Sequence, residues 1–192
     1  MSRDDAPSPE TRETLLTLAR AAVQATARDE AAPAPPAEPE ELTRPGASFV
    51  TLKRRDGELR GCIGSLEAHR PLAADVIDNA AAACRDPRFP PVAPAELGEL
   101  DLTVAVLTPP EPLTFTSEAD LVAQLHPGED GLILEADGRR GTFLPAVWES
   151  LPEPGAFLAQ LRRKAGLPVD FPLTRARLQR YRSHAFGGPL LP

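Results

Sequence analysis

Apolar and polar positions along the chain fall into helical and strand-like runs, parted by proline-rich breaks. From Pro9 to Arg28 the apolar residues Leu15, Leu18, Ala19, Ala22 and Val23 recur at helical spacing. Ser8 is placed to cap this helix, and Pro9 suits its first turn. Glu30 to Pro45 carries prolines at 33, 35, 36, 39 and 45. That density predicts neither helix nor central strand, but a partly extended surface linker tethering the first helix to the body. The division expected is residues 1–46 for helix and linker, 47–186 for the main domain and 187–192 for a loose tail carrying Gly187 and Gly188.

Within the main domain, Ala47–Lys53 and Leu59–Ser65 read as strands around the turn Arg55-Asp56-Gly57-Glu58. Pro71 to Arg85 is a helix with the stripe Leu72, Val76, Ile77, Ala80 and Cys84, stopped by Asp86-Pro87. Phe89 is expected to pin the loop that follows. Asp101–Leu107 alternates strictly and is apolar on both faces, so it belongs inside a sheet. Ser117 with Asp120 caps a short helix to Leu125 in a variant capping box. Gly131–Ala136 and Arg140–Leu144 form a second hairpin around Asp137-Gly138. Pro145–Ser150 is a helical turn with Trp148, Pro154–Ala165 a helix closed by Gly166, and Arg177–Phe186 a last strand. Strands and helices alternate without a regular βαβ order. The predicted class is therefore α+β, a mostly antiparallel sheet with flanking helices.

Composition narrows the possible roles. The chain has 192 residues and a formal net charge of −7. Nucleic acid and anionic membranes both call for a positive field, so neither is an expected partner. The 23 prolines are far above the usual ~5% of a chain, yet 42% of residues are apolar, so a core can form. Arginine outnumbers lysine by 19 to 2, and Arg, Pro, Ala and Gly share GC-rich codons. Isolated arginines and prolines are therefore poor functional signals here. Met1-Ser2-Arg3-Asp4-Asp5 has no apolar stretch behind it, and no run reaches the ~20 residues of a membrane helix. Two cysteines, Cys62 and Cys84, are too few for a disulfide framework. A soluble, cytoplasmic protein is expected.

Three strings carry candidate chemistry. In Leu59-Arg60-Gly61-Cys62-Ile63-Gly64, two glycines inside a strand mark a bulge or a close approach of backbone or ligand. Alternation puts Arg60 beside Cys62, where its charge would favour the thiolate. The alternative is a small buried cysteine in a tight strand. Cys84 lies on an apolar stripe and reads as core. In Arg85-Asp86-Pro87-Arg88-Phe89-Pro90-Pro91, Arg85 and Arg88 could grip a carboxylate or phosphate, or tie the loop to the sheet through Asp86. In Gly138-Arg139-Arg140-Gly141-Thr142-Phe143-Leu144-Pro145, Arg140 and Thr142 share a strand face, either toward a site or toward solvent. His69, His126 and His184 are scattered and have no metal-ligand spacing; His69 alone follows the Cys62 strand closely enough to be considered as a base. No nucleotide, cofactor or metal motif is present. Tyr181 sits among Arg175, Arg177, Arg180 and Arg182, which is a weak RNA signal without stacking platforms.

These strings occur in order with Leu107-Thr108-Pro109-Pro110-Glu111-Pro112, Gly131-Leu132-Ile133-Leu134, Val147-Trp148-Glu149 and Tyr181-Arg182. Together, from about Glu13 to Phe186, they resemble the AMMECR-type domain family, called AmmeMemoRadiSam system protein A in bacteria and archaea. The resemblance implies a two-lobed α+β fold, a larger lobe built on a sheet and a smaller lobe against it. It also implies that the Cys62 string lines a groove between the lobes. Partners implied are a Memo-like protein, related to extradiol dioxygenases, and a radical S-adenosylmethionine enzyme. It implies no reaction. The Pro-rich linker is longer than the family pattern calls for. Two roles are weighed. One is a binding or accessory component using Arg60, Gly61, Gly64, Arg85, Arg88, Arg140 and Thr142. The other is a small enzyme with Cys62 as nucleophile or contact residue and the arginines holding an unidentified anion. No complete acid–base–nucleophile set is visible, which favours the first.

Overall fold

The computed structural model describes residues 6–191. The acidic first five residues, read above as lacking a secretory signal, lie outside the described residues. The chain divides into two compact units: residues up to Leu107 together with those from His184 onward, and Thr108–Ser183. Among the described residues no helix is long and apolar enough to cross a membrane.

The first unit begins with α1 (Pro9–Ala27). The Ser8 hydroxyl accepts the Thr11 N–H as its cap, as the sequence predicts. The linker is not structureless. Glu40–Thr43 forms a single helical turn, α2, whose Leu42 is buried. Glu41 drives this, because its carboxylate accepts from both the Ser8 hydroxyl and the Ser8 N–H and so ties the turn to the start of α1. Then come β1 (Pro45–Arg54), β2 (Leu59–Gly64), β3 (Arg70–Pro71) and α3 (Leu72–Ala83). A 3-10 turn, Pro94–Glu99, leads into β4 (Leu100–Leu107).

β1 is flanked by β2 on one side and β4 on the other, with β3 pairing its first residues. Val50 and Leu52 of β1 and Leu102 and Val104 of β4 are buried with Leu15, Ala19 and Val23 of α1 and Val76 and Ala80 of α3. This apolar set is the alternation of the strands meeting the stripes of the helices. One buried carboxylate fixes the start of α3. Asp75 accepts from the Ser48 N–H, the Ser48 and Ser65 hydroxyls, the Asn79 amide and Arg70 Nε, at 2.7–3.0 Å. A buried charge persists only with such partners.

The second unit holds β5 (Glu111–Pro112), α4 (Glu118–Gln124), β6 (Gly131–Ala136), β7 (Arg139–Phe143), α5 (Pro154–Lys164) and β8 (Arg177–Tyr181). Its sheet runs β5-β8-β6-β7. The predicted hairpin turn is present, with Asp137 and Gly138 both at positive φ, 50° and 72°. The core is Leu132, Leu134, Leu178, Phe157, Leu158 and Leu161, with the Trp148 ring stacked on Phe157 at 3.9 Å. Ser117 caps α4, but the Asp120 carboxylate accepts from the Thr116 N–H, one residue earlier than a regular capping box requires.

The C-terminal end departs most from expectation. The single strand expected over Arg177–Phe186 is two strands in two different sheets. It breaks at Arg182, whose N–H donates to the Thr108 hydroxyl and whose carbonyl accepts from Thr108 N. β9 (Ser183–Pro189) then joins the first sheet beside β4. The residues expected as a loose tail are held instead. Leu190 is fully buried and its N–H donates to the Leu100 carbonyl. The two glycines that suggested looseness allow contact: a Cβ on Gly187 would lie 2.2 Å from the Leu102 oxygen. Pro192 lies outside the described residues.

Gly187→Ala should therefore destabilise the protein by about 1–3 kcal/mol through overpacking. Gly155→Ala in α5, where a Cβ meets nothing within 4 Å, should be neutral or stabilise by up to about 1 kcal/mol. Urea unfolding midpoints read both, and equal midpoints for Gly187→Ala and wild type would contradict the strand placement of the tail.

Candidate functional site

The Cys62 string forms β2, the outer strand of the first sheet. An outer strand leaves a row of backbone donors and acceptors without a strand partner. The loop after α3 supplies one. The Asp86 carboxylate accepts the Cys62 N–H at 2.9 Å, and Arg88 Nη2 donates to the Cys62 carbonyl at 3.3 Å. Arg88 closes the arrangement by donating to both Asp86 oxygens, at 3.0 and 2.6 Å. The two strings that stood apart in the sequence are thus one structural piece. Asp86, almost fully buried, is its centre. Phe89, expected as the pin, is only half-buried, with the Arg88 guanidinium 5.6 Å from its ring centroid.

The pairing register explains Arg60. Thr51 faces Cys62 and Leu52 faces Gly61, but Lys53 faces Leu59, so Arg60 is an extra residue in a bulge. Regular alternation would have set Arg60 beside the thiol. The bulge sends it to the loop and the 3-10 turn instead. Its Nε and Nη2 donate to the two Glu96 oxygens, each at 2.9 Å, and Nη1 to the Pro90 carbonyl at 2.9 Å. Nη2 also reaches the Pro91 carbonyl at 3.3 Å. Arg60 is 5% exposed. Its charge acts on Cys84: burial pushes that thiol up to about 11, with Arg85 and Arg60 pulling partly against it. Cys84 is core, as its stripe predicts.

Internal packing accounts for both glycines. A Cβ on Gly61 would stand 2.2 Å from the Ala83 carbonyl oxygen, so Gly61 lets the end of α3 approach β2. A Cβ on Gly64 would collide with the Phe49 ring. Gly61 faces α3, so Cys62 faces the other way, with Thr51, Phe49 and Gly64 on the side of the sheet turned from the helices. The Cys62 thiol is half-buried and accepts from the Thr51 hydroxyl at 3.3 Å. Thr103 of β4 faces Thr51 in the next register pair, so Cys62, Thr51 and Thr103 make a row of small polar side chains across the sheet. His69 is exposed, 3.9 Å from Glu67.

The remaining sequence candidates are elsewhere. Arg85 is exposed and 3.8 Å from Asp29, beyond the end of α1. Arg140 and Thr142 lie on β7 of the second unit. Arg140 pairs with Glu135 at 3.2 Å, and the Thr142 hydroxyl bonds the Tyr181 hydroxyl at 3.1 Å. Burial lifts Tyr181 to about 12, with the Thr142 bond pulling partly back. Sequence reasoning missed Glu96 and Thr51. Glu96 was signalled by its place in a proline-started turn, where its carboxylate also accepts the Ala93 N–H. Thr51 follows once the hairpin register is counted from the turn. Among the described residues no group of three His, Cys, Asp or Glu side chains could hold a metal ion.

Fold and site define a two-unit α+β protein with a buttressed outer strand presenting one thiol. The AMMECR1 family model matches residues 16–186. A protein of Methanothermobacter thermautotrophicus is 45% identical over 145 residues, 72% of this chain and 73% of that one. A protein of Thermoplasma acidophilum is 36% identical over 176 residues, 90% of this chain and 84% of that one. The crystal structure of an uncharacterized protein from Pyrococcus horikoshii is similar at a TM-score of 0.82 and 35% identity, covering 94% of this chain and 93% of that one. The chain belongs to the AMMECR1 family.

The Asp86 clamp has a pH signature. Hydrogen bonds from Arg88 hold the Asp86 carboxyl far below the usual carboxylate range, helped by the Cys62 N–H and opposed by burial. Bonds from Arg60 likewise hold Glu96 at about 2. Both values are depressed by folding. The stability they supply is complete above the ordinary carboxylate range of about 4, and is lost as pH falls toward the folded values. Asp86→Asn should cost about 1–3 kcal/mol at neutral pH. The gap to wild type should narrow as pH falls below about 4. Denaturant unfolding across pH 7 to 3 measures it (with pH limits of about the range where the unfolded carboxylates titrate); a gap independent of pH would refute the clamp.

Proposed function

We propose that the chain is a binding or accessory component rather than a catalyst acting alone, and that it engages its partner through the β1–β2 face carrying Cys62. The observation that supports this most is the commitment of the arginines. Arg60 commits four of its five N–H groups to Glu96 and two carbonyls, and Arg88 commits three to Asp86 and the Cys62 carbonyl. Each is already countered by its own carboxylate, Glu96 or Asp86, which lowers the attraction left for an anionic substrate at the thiol. What the strand presents is a shape: a half-buried thiol, two threonine hydroxyls and the Phe49 ring over Gly64. A rigid strand held from behind suits recognition, since little order is lost on docking.

The partners proposed are those that the family resemblance implies, a Memo-like protein and a radical S-adenosylmethionine enzyme. A second reading, a small enzyme with Cys62 as nucleophile, draws on the partial exposure of the thiol. The hydrogen bond made to that thiol comes from the Thr51 hydroxyl, which is no base at neutral pH.

Co-purification of the full chain with the two partners separates these readings. Cys62→Ser should keep both the association and the activity of the assembled system. Cys62→Arg, which fills the face, should weaken association about tenfold or more. Retained association with lost activity in Cys62→Ser would overturn the binding reading in favour of the enzyme. In parallel, iodoacetamide should modify Cys62 in the folded protein and Cys84 only after unfolding, as mass mapping of the adducts will read.

A further inference from the structure

The second unit carries an arginine cluster that the reading above leaves unused. In its sheet Glu135 of β6 faces Arg140 of β7 on one side and Arg177 of β8 on the other. Facing residues point to the same side, so the three form one row. Arg175 ends the 3-10 turn Leu173–Arg175 that leads into β8, and Arg139 opens β7 after the Asp137-Gly138 turn. Arg139, Arg140, Arg175 and Arg177 rim an open cavity of about 520 Å³ with Glu135 and Asp137. Four guanidinium groups meet two carboxylates there, in a chain whose net charge is −7.

Their commitments differ from those of Arg60 and Arg88. Arg140 is paired with Glu135, and Arg139 donates to the Gly166 carbonyl. Arg175 has only the Phe171 ring beside it, 5.9 Å from the centroid. Arg177 makes no ion pair or side-chain hydrogen bond with another described residue. The Glu135 carboxylate is thus engaged by Arg140, and the guanidinium groups of Arg175 and Arg177 keep most of their donors. Guanidinium donors are spaced to match phosphate oxygens two at a time. The cavity volume is that of a small-molecule pocket, about 300–1,000 Å³. No aromatic side chain lines it, so the stacking that single-stranded nucleic acid uses is missing.

We propose that this cavity binds a small soluble anion bearing at least two phosphoryl groups. Arg175 and Arg177 grip it, Arg139 and Arg140 border it, and Glu135 is a counter-charge that weakens the grip. The second unit alone supplies every residue, so the site does not depend on the Cys62 face or on the partner reading above.

Titration calorimetry of the full chain with pyrophosphate at low ionic strength tests it. One-to-one binding is expected, tighter than that of orthophosphate. The double substitution Arg175→Ala with Arg177→Ala should weaken it about tenfold or more. Glu135→Gln should tighten it by about threefold, by removing the competing charge. Circular dichroism checks that each variant is folded. The proposal is overturned by no binding of pyrophosphate to wild type, by equal affinity in the folded double variant, or by unchanged or weaker affinity in Glu135→Gln. Tighter binding of a single-stranded RNA oligomer than of pyrophosphate would overturn it in favour of a nucleic-acid surface.

Discussion

The first unit depends on one carboxylate at a junction. Asp86 lies three residues beyond the end of α3 and accepts from the outer edge of β2, so it ties the end of a helix to the edge of a sheet. Buried and charged, it is tolerable only because Arg88 and two backbone N–H groups satisfy it. Removing any of these would leave part of a charge unpaired in the protein, which costs more than the pair contributes when intact. The same constraint explains the proline that follows. Pro87 cannot continue α3, so the chain turns at Asp86 and returns along β2, bringing Arg88 to the Cys62 carbonyl.

This junction changes the meaning of the Cys62 string. Its glycines and its arginine looked like provisions for a ligand. Gly61 is small because the Ala83 carbonyl lies against it, Gly64 because Phe49 covers it, and Arg60 is long because Glu96 and the Pro90 carbonyl are far from the strand. Packing therefore accounts for most of the string. The residue it does not account for is Cys62 itself. Its backbone is clamped on both sides while its side chain, bonded to Thr51, faces away from the helices. A strand this heavily buttressed holds one side chain in a fixed place, which is what a recognition surface requires.

Much of the fold could be read in the sequence, because periodicity and turn chemistry agreed. The caps at Ser8 and Ser117, the Asp137-Gly138 hairpin and the interior place of β4 all follow from local rules. The failures share a cause. The bulge at Arg60, the turn at Glu40–Thr43 and the split of the last strand at Arg182 are each imposed by a partner distant in sequence: Glu96, Ser8 and Thr108. Local pattern cannot anticipate a hydrogen bond to a residue many positions away. Gly187 and Gly188 misled for a related reason. Glycine reads as freedom in a sequence, whereas at Gly187 it is close approach to the Leu102 carbonyl.

Arginine poses the same ambiguity across the whole chain. With 19 of them, composition alone cannot separate a functional guanidinium from a codon preference. Accounting for donors can. Each guanidinium has five N–H groups, and a buried one must spend them on protein acceptors. Arg60 spends four of its five, which makes it structural whatever motif it sits in. Arg162 follows the same rule in the second unit, buried and divided between the Phe171 carbonyl and Glu118. Arg175 and Arg177 lie in a stretch that drew attention only as a weak RNA signal, yet they keep donors unspent beside a carboxylate that is already engaged by Arg140. Capacity to bind an anion therefore tracks unspent donors rather than motif membership.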